Sequence, residues 1–206
     1  MLNFEILFED GSVIVVAKPA GLMVEADRFG NPSLEEEIAR YFKEKRVSQN
    51  TIIGIVHRLD RPVSGVMIIA KKRSVLKELN DQFEKGLVDK TYFATVEGKP
   101  AKQEAHLQHY LRKDSNLKKA IIYRNKQHDT AKCELIYKEI KSDKNTSLLE
   151  VHPLTGKYHQ IRAQLSFIGC PIVGDVKYNS KIKYKPDSIC LHSQSVEFFH
   201  PVEKKK

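Results

Sequence analysis

Cysteine is scarce in this chain: Cys133, Cys170 and Cys190 are the only three in 206 residues, and no two form a CxxC pair. An odd number at wide spacing argues against both a disulfide framework and a thiolate zinc site, and fits a reducing cytoplasm. No apolar run approaches the roughly 18 to 20 residues of a membrane span. The opening MLNFEILFEDGS carries acids where a secretion signal needs a basic segment. The phosphate-cradling patterns GxGxxG and GxxxxGK[ST] are missing, as is a Gly-x-Ser-x-Gly elbow, so neither a nucleotide cofactor nor a serine hydrolase is indicated. Internal repeats and low-complexity linkers are also absent, and the expectation is one domain over residues 1–206.

Acids are outnumbered, 26 Asp and Glu against 35 Lys and Arg, for a net charge of +9. That balance suits a polyanionic partner. Lys177 to Lys185, KYNSKIKYK, interleaves four lysines with two tyrosines and has no acid; Arg112 to Lys144 holds ten basic residues against five acidic. Basic groups alternating with aromatics serve phosphates and bases together, although a lysine-rich solvated surface has the same composition.

Apolar runs at Phe4–Phe8 and Val13–Ala17 flank Glu9-Asp10-Gly11 and predict a hairpin-like start. Ser33-Leu34-Glu35-Glu36 is a capping box opening a helix to about Arg46. A second helix is expected after Ser74, with Leu76, Leu79, Phe83 and Leu87 as its apolar stripe. Strands are read at Gly65–Ala70, Thr91–Val96, Ala120–Tyr123, Lys132–Tyr137 and Ser147–Val151. A third helix is read over Tyr158–Ile168, with Ile161, Leu165 and Ile168 as its stripe and Gly169 and Pro171 as its stop. Irregular alternation of helices and strands predicts an α+β fold: a mixed, largely antiparallel sheet flanked by helices.

Asp60, in His57-Arg58-Leu59-Asp60-Arg61-Pro62-Val63-Ser64-Gly65, lies between the apolar run Ile52–Val56 and a buried strand. An enclosed ionised carboxylate needs a cation, and Arg162 is the expected one. An interior ion pair that merely braces two segments is the alternative. Tyr92 shares a strand face with Ala94 and Val96 and reads on its own as a core tyrosine. His106 and His109 have HxxH spacing but lack the further convergent ligands of a metal site, so no metal is expected.

These residues form an ordered series. His57-Arg58-Leu59-Asp60 with Ser64-Gly65 is followed by Lys90-x-Tyr92-x-Ala94-x-Val96, then Thr155-Gly156-x-x-His159-Gln160-Ile161-Arg162, then Gly169-x-Pro171-Ile172-x-Gly174-Asp175 with Tyr178. Glu9-Asp10 and Lys18-Pro19-x-Gly21 precede them, and Leu191-His192 and His200-Pro201 close the set. In this order the motifs resemble those of the RluA-type pseudouridine synthases.

The resemblance implies a catalytic core with a central RNA-binding cleft across the sheet, and cofactor-free conversion of uridine in structured ribosomal or transfer RNA to its C-glycoside. It implies Asp60 as nucleophile, Tyr92 as the active-site tyrosine and Arg162 as the cation paired with Asp60. Arg58 would displace the target base, with RNA contacts from His57, Lys157, His159, Gln160, Lys177 and Lys181. Two positions depart from the family pattern: Val63 replaces the usual Thr, and Lys157 the usual Arg, which keeps the charge but loses the planar fork. About nine residues precede the first match, so a separate N-terminal S4 domain is not expected. The expected protein is a soluble cytoplasmic monomer; a non-catalytic RNA-binding or RNA-remodelling module is the rival.

Overall fold

The structure, a computed structural model, describes residues 3–206. The chain divides into two compact units, one reaching to Asp89 and resuming at Ser193–Lys206, the other Lys90–His192. Among the described residues no helix is long and apolar enough to cross a membrane.

The first unit begins with the expected hairpin, β1 (Glu5–Glu9) and β2 (Val13–Lys18). Asp10 closes its turn, one carboxylate oxygen accepting the N–H groups of Ser12 and Val13 at 2.7 Å each. After β2 come α1 (Leu34–Glu44), β3 (Gly54–Ile55), β4 (Ser64–Ala70) and α2 (Arg73–Glu84). Both β2 and β3 pair antiparallel with β4. A last strand, β10 (Leu191–Glu197), starts at the end of the second unit and continues into the first.

The α1 capping box is present in both directions: Glu36 N–H donates to the Ser33 hydroxyl, and the Glu36 carboxylate accepts from Ser33 N–H. The helix ends two residues before Arg46, whose φ of 53° is left-handed. The stripe of α2 is shifted from the expected one. Val75, Leu79 and Gln82 are buried, whereas Leu87 lies beyond the helix and is exposed. Val75 and Leu79 pack with Val13, Ile68 and Ala70, which fixes the strand that follows the Asp60 loop. Gly65, the second residue of that strand, stands at φ 123°, and a Cβ there would collide with the backbone of Ser193.

The second unit is an antiparallel sheet: β5 (Asp89–Glu97), β6 (Glu104–Asp114), β7 (Lys119–Tyr123), β8 (Ala131–Ser142) and β9 (Thr146–Pro153) in the order β5-β9-β8-β6-β7. Every one of these pairings is antiparallel. The expected α+β class with largely antiparallel pairing is therefore what forms. Helix α3 (Gln160–Phe167) packs on β6 and β7, sharing a core of Leu111, Ala120, Ile122, Cys133, Ala163 and Tyr178.

Two expectations for this unit need correction. Helix α3 starts two residues later than the sequence pattern indicated, because His159 stands at φ 50°, outside helical space. It also has no single apolar stripe, since Gln160 to Leu165 are buried without a break. The strand β6 was not anticipated; its exposed face is polar, and its His106 and His109, three apart in a strand, lie on opposite faces.

Candidate active site

In the first unit the loop between β3 and β4 carries His57, Arg58 and Asp60. It is shaped from both ends. His57 Nε2 accepts the Ile68 N–H at 3.0 Å, and the ring stacks on Phe83 of α2 with centroids 5.1 Å apart. A neutral imidazole accepting at Nε2 carries its proton on Nδ1, so the tautomer is set by β4. The Asp60 carbonyl accepts Val63 N–H at 2.9 Å, closing a tight turn that leaves the carboxylate half-buried. Val63 itself is 2% exposed. A threonine hydroxyl there would need a partner inside the core, so the apolar departure fits the space.

Lys18, at the end of β2, is the residue the sequence did not single out. It is 1% exposed, and its ammonium donates to the carbonyls of Leu22, Pro19 and Arg61 at 2.8, 2.9 and 3.3 Å. Those three contacts tie the Lys18-Pro19-Ala20-Gly21 turn to the residue after Asp60, and Gly21 N–H adds a bond to the Arg61 carbonyl at 2.8 Å. Burial pulls the Lys18 pKa down to about 8, with the Asp60 carboxylate acting in the opposite direction. The signal was in the sequence: a lysine at the last position of an apolar strand, before Pro-Ala-Gly. Arg58 is 70% exposed at its side chain and meets Glu25 at 2.8 Å.

In the second unit Tyr92 is buried on β5, opposite Val151 of β9 and on the face it shares with Ala94 and Val96. Arg162 lies in the third position of α3, almost fully enclosed. Its Nε and Nη2 donate to the two oxygens of Asp175 at 2.7 and 2.9 Å, a bidentate pair with side-chain exposures of 6% and 1%. A guanidinium carries five donors, so this pair orients it without exhausting it. The Tyr178 ring covers the guanidinium, with Cζ 5.0 Å from its centroid. Asp175 and Tyr178 are thus the groups that hold Arg162, and neither was assigned that task from sequence.

Tyr178 is itself fixed by two bonds. Its hydroxyl accepts Ala120 N–H at 2.7 Å and lies 2.8 Å from His159 Nδ1. Burial raises its pKa to about 12, so it stays a phenol. Gln160 is buried and spends its amide on the preceding loop: Oε1 accepts from Thr155 Oγ1 and Lys157 N, and Nε2 donates to the Glu134 carbonyl. Expected as an RNA contact, it is a brace for Thr155–Lys157. Lys157, Lys177 and Lys181 are exposed. Lys177 Nζ donates to the Lys118 carbonyl at 3.2 Å, and the segment of Lys181 is pinned by Glu97, which accepts from Ser180 Oγ and the N–H groups of Lys181 and Ile182.

The structure thus gathers His57, Arg58 and Asp60 on one loop of the first unit, and Lys157, His159, Gln160 and Arg162 around the start of α3 in the second.

Comparison with known proteins gives four matches that agree with one another. The family model described as RNA pseudouridylate synthase matches residues 12–167. A ribosomal large subunit pseudouridine synthase C of Buchnera aphidicola is 35% identical over the whole of this chain, which spans 65% of that protein's length, just under two-thirds. A protein of Zymomonas mobilis, called an uncharacterized RNA pseudouridine synthase, is 36% identical over the whole chain and 91% of its own length. The solved structure of Human RNA Pseudouridylate Synthase Domain Containing 4 superposes with a TM-score of 0.79 over 94% of this chain and 84% of that one, at 22% identity, a likeness of fold.

Proposed function

The chain belongs to the RNA pseudouridylate synthase family, and on that premise we propose that it isomerises uridines in RNA to pseudouridine. The observation that carries the reading is the family match across residues 12–167, which includes Asp60, Tyr92 and Arg162 in the order that the motifs require. The names of its large-subunit relatives favour ribosomal RNA over transfer RNA as the substrate. The proposed enzyme is a cytoplasmic monomer acting without a cofactor, its catalytic domain extending over residues 1–206.

Uridine stacked in a folded RNA exposes neither C1′ nor C6 to a side chain, so the base must be turned out of the stack, at a cost of a few kcal/mol. Arg58 is assigned to fill the vacated place. Its ion pair with Glu25 is exposed, and such pairs contribute only about 0–1 kcal/mol, so releasing it is cheap. Lysines 157, 177 and 181 are assigned to the phosphates, and His159 to a further contact with the RNA. His57 and Gln160 serve RNA binding indirectly, by shaping the loops that carry Asp60 and Lys157.

The reaction breaks N1–C1′ and forms C5–C1′; the C5 hydrogen leaves as a proton and N1 gains one. Asp60 is assigned as the nucleophile, adding to the sugar or the base, or stabilising a sugar cation while taking up the proton. Arg162, oriented by Asp175, is the cation assigned to that carboxylate. Tyr92 is assigned a place against the reacting base. A phenol of ordinary pKa near 10 is ionised in about one molecule in a thousand at pH 7, so stacking or positioning suits it better than proton abstraction.

Incubation with ribosomal RNA from cells lacking this gene, followed by pseudouridine mapping, tests the proposal. Wild type should modify discrete uridines and Asp60→Ala none. Absence of any new pseudouridine, under conditions that support a control synthase, contradicts it.

A further inference from the structure

Beside the start of α3 stands a surface of which the assignments above use only His159 and Lys177. Tyr158 and His159 lie face to face, centroids 3.8 Å apart and planes within 18°. The left-handed φ of His159 turns the chain out of the helical path here. With the imidazole against one face of the Tyr158 ring, the Lys113 ammonium, 4.8 Å from its centroid, must lie over the other.

The β6–β7 hairpin is tied to the same place: Tyr158 Oη and Lys177 Nζ both donate to the Lys118 carbonyl, at 3.3 and 3.2 Å. Lys119 projects over Tyr178, its Nζ 6.0 Å from the centroid. Among the described residues none of Lys113, Lys118, Lys119 and Lys177 makes an ion pair. The one acid of the hairpin turn, Asp114, accepts the Leu117 N–H at 2.9 Å. Four cations held together without a carboxylate partner repel one another and favour a polyanion. Over an exposed aromatic face, an ammonium on a flexible chain is displaceable.

We propose that Tyr158, backed by His159, is a stacking platform for an unpaired nucleobase of the RNA other than the target uridine, with Lys113, Lys118, Lys119 and Lys177 taking the flanking phosphates. On binding, Lys113 moves from the ring to a phosphate and the base takes its place on the ring. This deepens the pseudouridine synthase reading and rests on it for the identity of the RNA, but not for the contact itself. It makes Tyr158 a determinant of where the enzyme settles: on single-stranded loops, whose bases have open faces, and not on continuous duplex.

The experiment uses the full chain in an Asp60→Asn background, where turnover is blocked, and a fluorescein-labelled mixed-sequence single-stranded RNA of about 12 nucleotides, a length within the usual site sizes of single-strand binders. Anisotropy should show binding about tenfold to a hundredfold weaker for Tyr158→Ala, the span expected for losing one stacked base. Tyr158→Phe should bind within about twofold of its parent, because the ring is kept. Tyr158→Leu, which preserves apolar bulk against His159, should resemble the alanine variant. A duplex of the same sequence should be insensitive to all three substitutions. Lys113→Gln with Lys177→Gln should reduce the steepness of the salt dependence by about two counterions.

If Tyr158→Ala binds single strands within twofold of its parent while the lysine variants weaken, the surface is an electrostatic one only and the stacking claim is overturned. Equal loss on single strand and duplex overturns it also, as does equal weakening by Tyr158→Phe. Pseudouridine formation by the otherwise wild-type protein separates this from the functional reading: stacking without pseudouridine sustains the platform and sinks the synthase, and pseudouridine with a silent Tyr158 does the reverse.

Discussion

An ammonium enclosed by three carbonyls is a demanding thing to bury, and Lys18 shows why the Asp60 loop tolerates it. Protonated, the amine has three donors for three acceptors; neutral, it has two. Its pKa falls from the ordinary lysine range to about 8 because burial disfavours the charge. The burial penalty is in full force below pH 8, and between pH 8 and the ordinary lysine value of about 10.4 the unfolded chain holds a proton that the folded chain has released. This group therefore makes stability rise with pH across that window. Activity should move the other way, since above pH 8 one carbonyl loses its donor and Asp60 loses a nearby positive charge. We predict that kcat/KM falls as pH rises through about 8, and that Lys18→Met removes this limb of the profile while lowering the plateau. A wild-type profile flat from pH 7 to 9.5 contradicts it.

The Arg162–Asp175 pair makes a different prediction at the same scale. Asp175→Asn leaves a buried guanidinium without its bidentate carboxylate, a change that typically costs about 3–5 kcal/mol. Urea denaturation should show a loss of that order, and Arg162→Met added to Asp175→Asn should restore part of it, because an uncharged pair need not be compensated. Equal stability of Asp175→Asn and wild type would show that the pair carries no charge-dependent strength.

At the level of elements, Gly65 joins the Asp60 turn to β4 at a backbone angle that a side chain rarely adopts, and against Ser193, which leaves no room for one. Gly65→Ala should cost at least about 2 kcal/mol, combining backbone strain with overpacking. Gly98→Ala also has a positive φ, 72°, but open space around it, and should cost only about 1 kcal/mol. Thermal unfolding of both variants checks this, and equal losses would rule out the collision.

What was legible in the sequence was mostly local. The Ser33 capping box, the Asp10 turn and the apolar run of β4 are decided by neighbours a few residues apart, and each formed as expected. The start of α3 was not legible, because His159 leaves helical space in a setting fixed by Tyr178, 19 residues on. Strand β6 was hidden by a polar exposed face, and the α2 stripe shifted because Val75 and Gln82 found partners in distant segments, Gln82 bonding both backbone groups of Phe199. Among the proposed site residues, Asp60, Tyr92 and Arg162 were visible through the ordered motifs. Their supports Lys18 and Asp175 stood within quoted motifs, yet a motif does not say which carbonyls a lysine will meet or which arginine an aspartate will hold.

For the molecule as a whole, the excess of nine positive charges makes the proposed RNA binding a function of salt. The proposed chemistry, by contrast, is local to one carbon–hydrogen bond. RNA carrying tritium at C5 of uridine provides the most direct measurement, since joining C5 to C1′ must release that hydrogen to water. Wild type should release tritium in equal amount to the pseudouridine formed, without free uracil, and Asp60→Asn should release none while still binding the RNA. Tritium retained by wild-type reactions, uracil set free in its place, or release by Asp60→Asn within tenfold of the wild-type rate would contradict an aspartate-dependent uridine isomerisation.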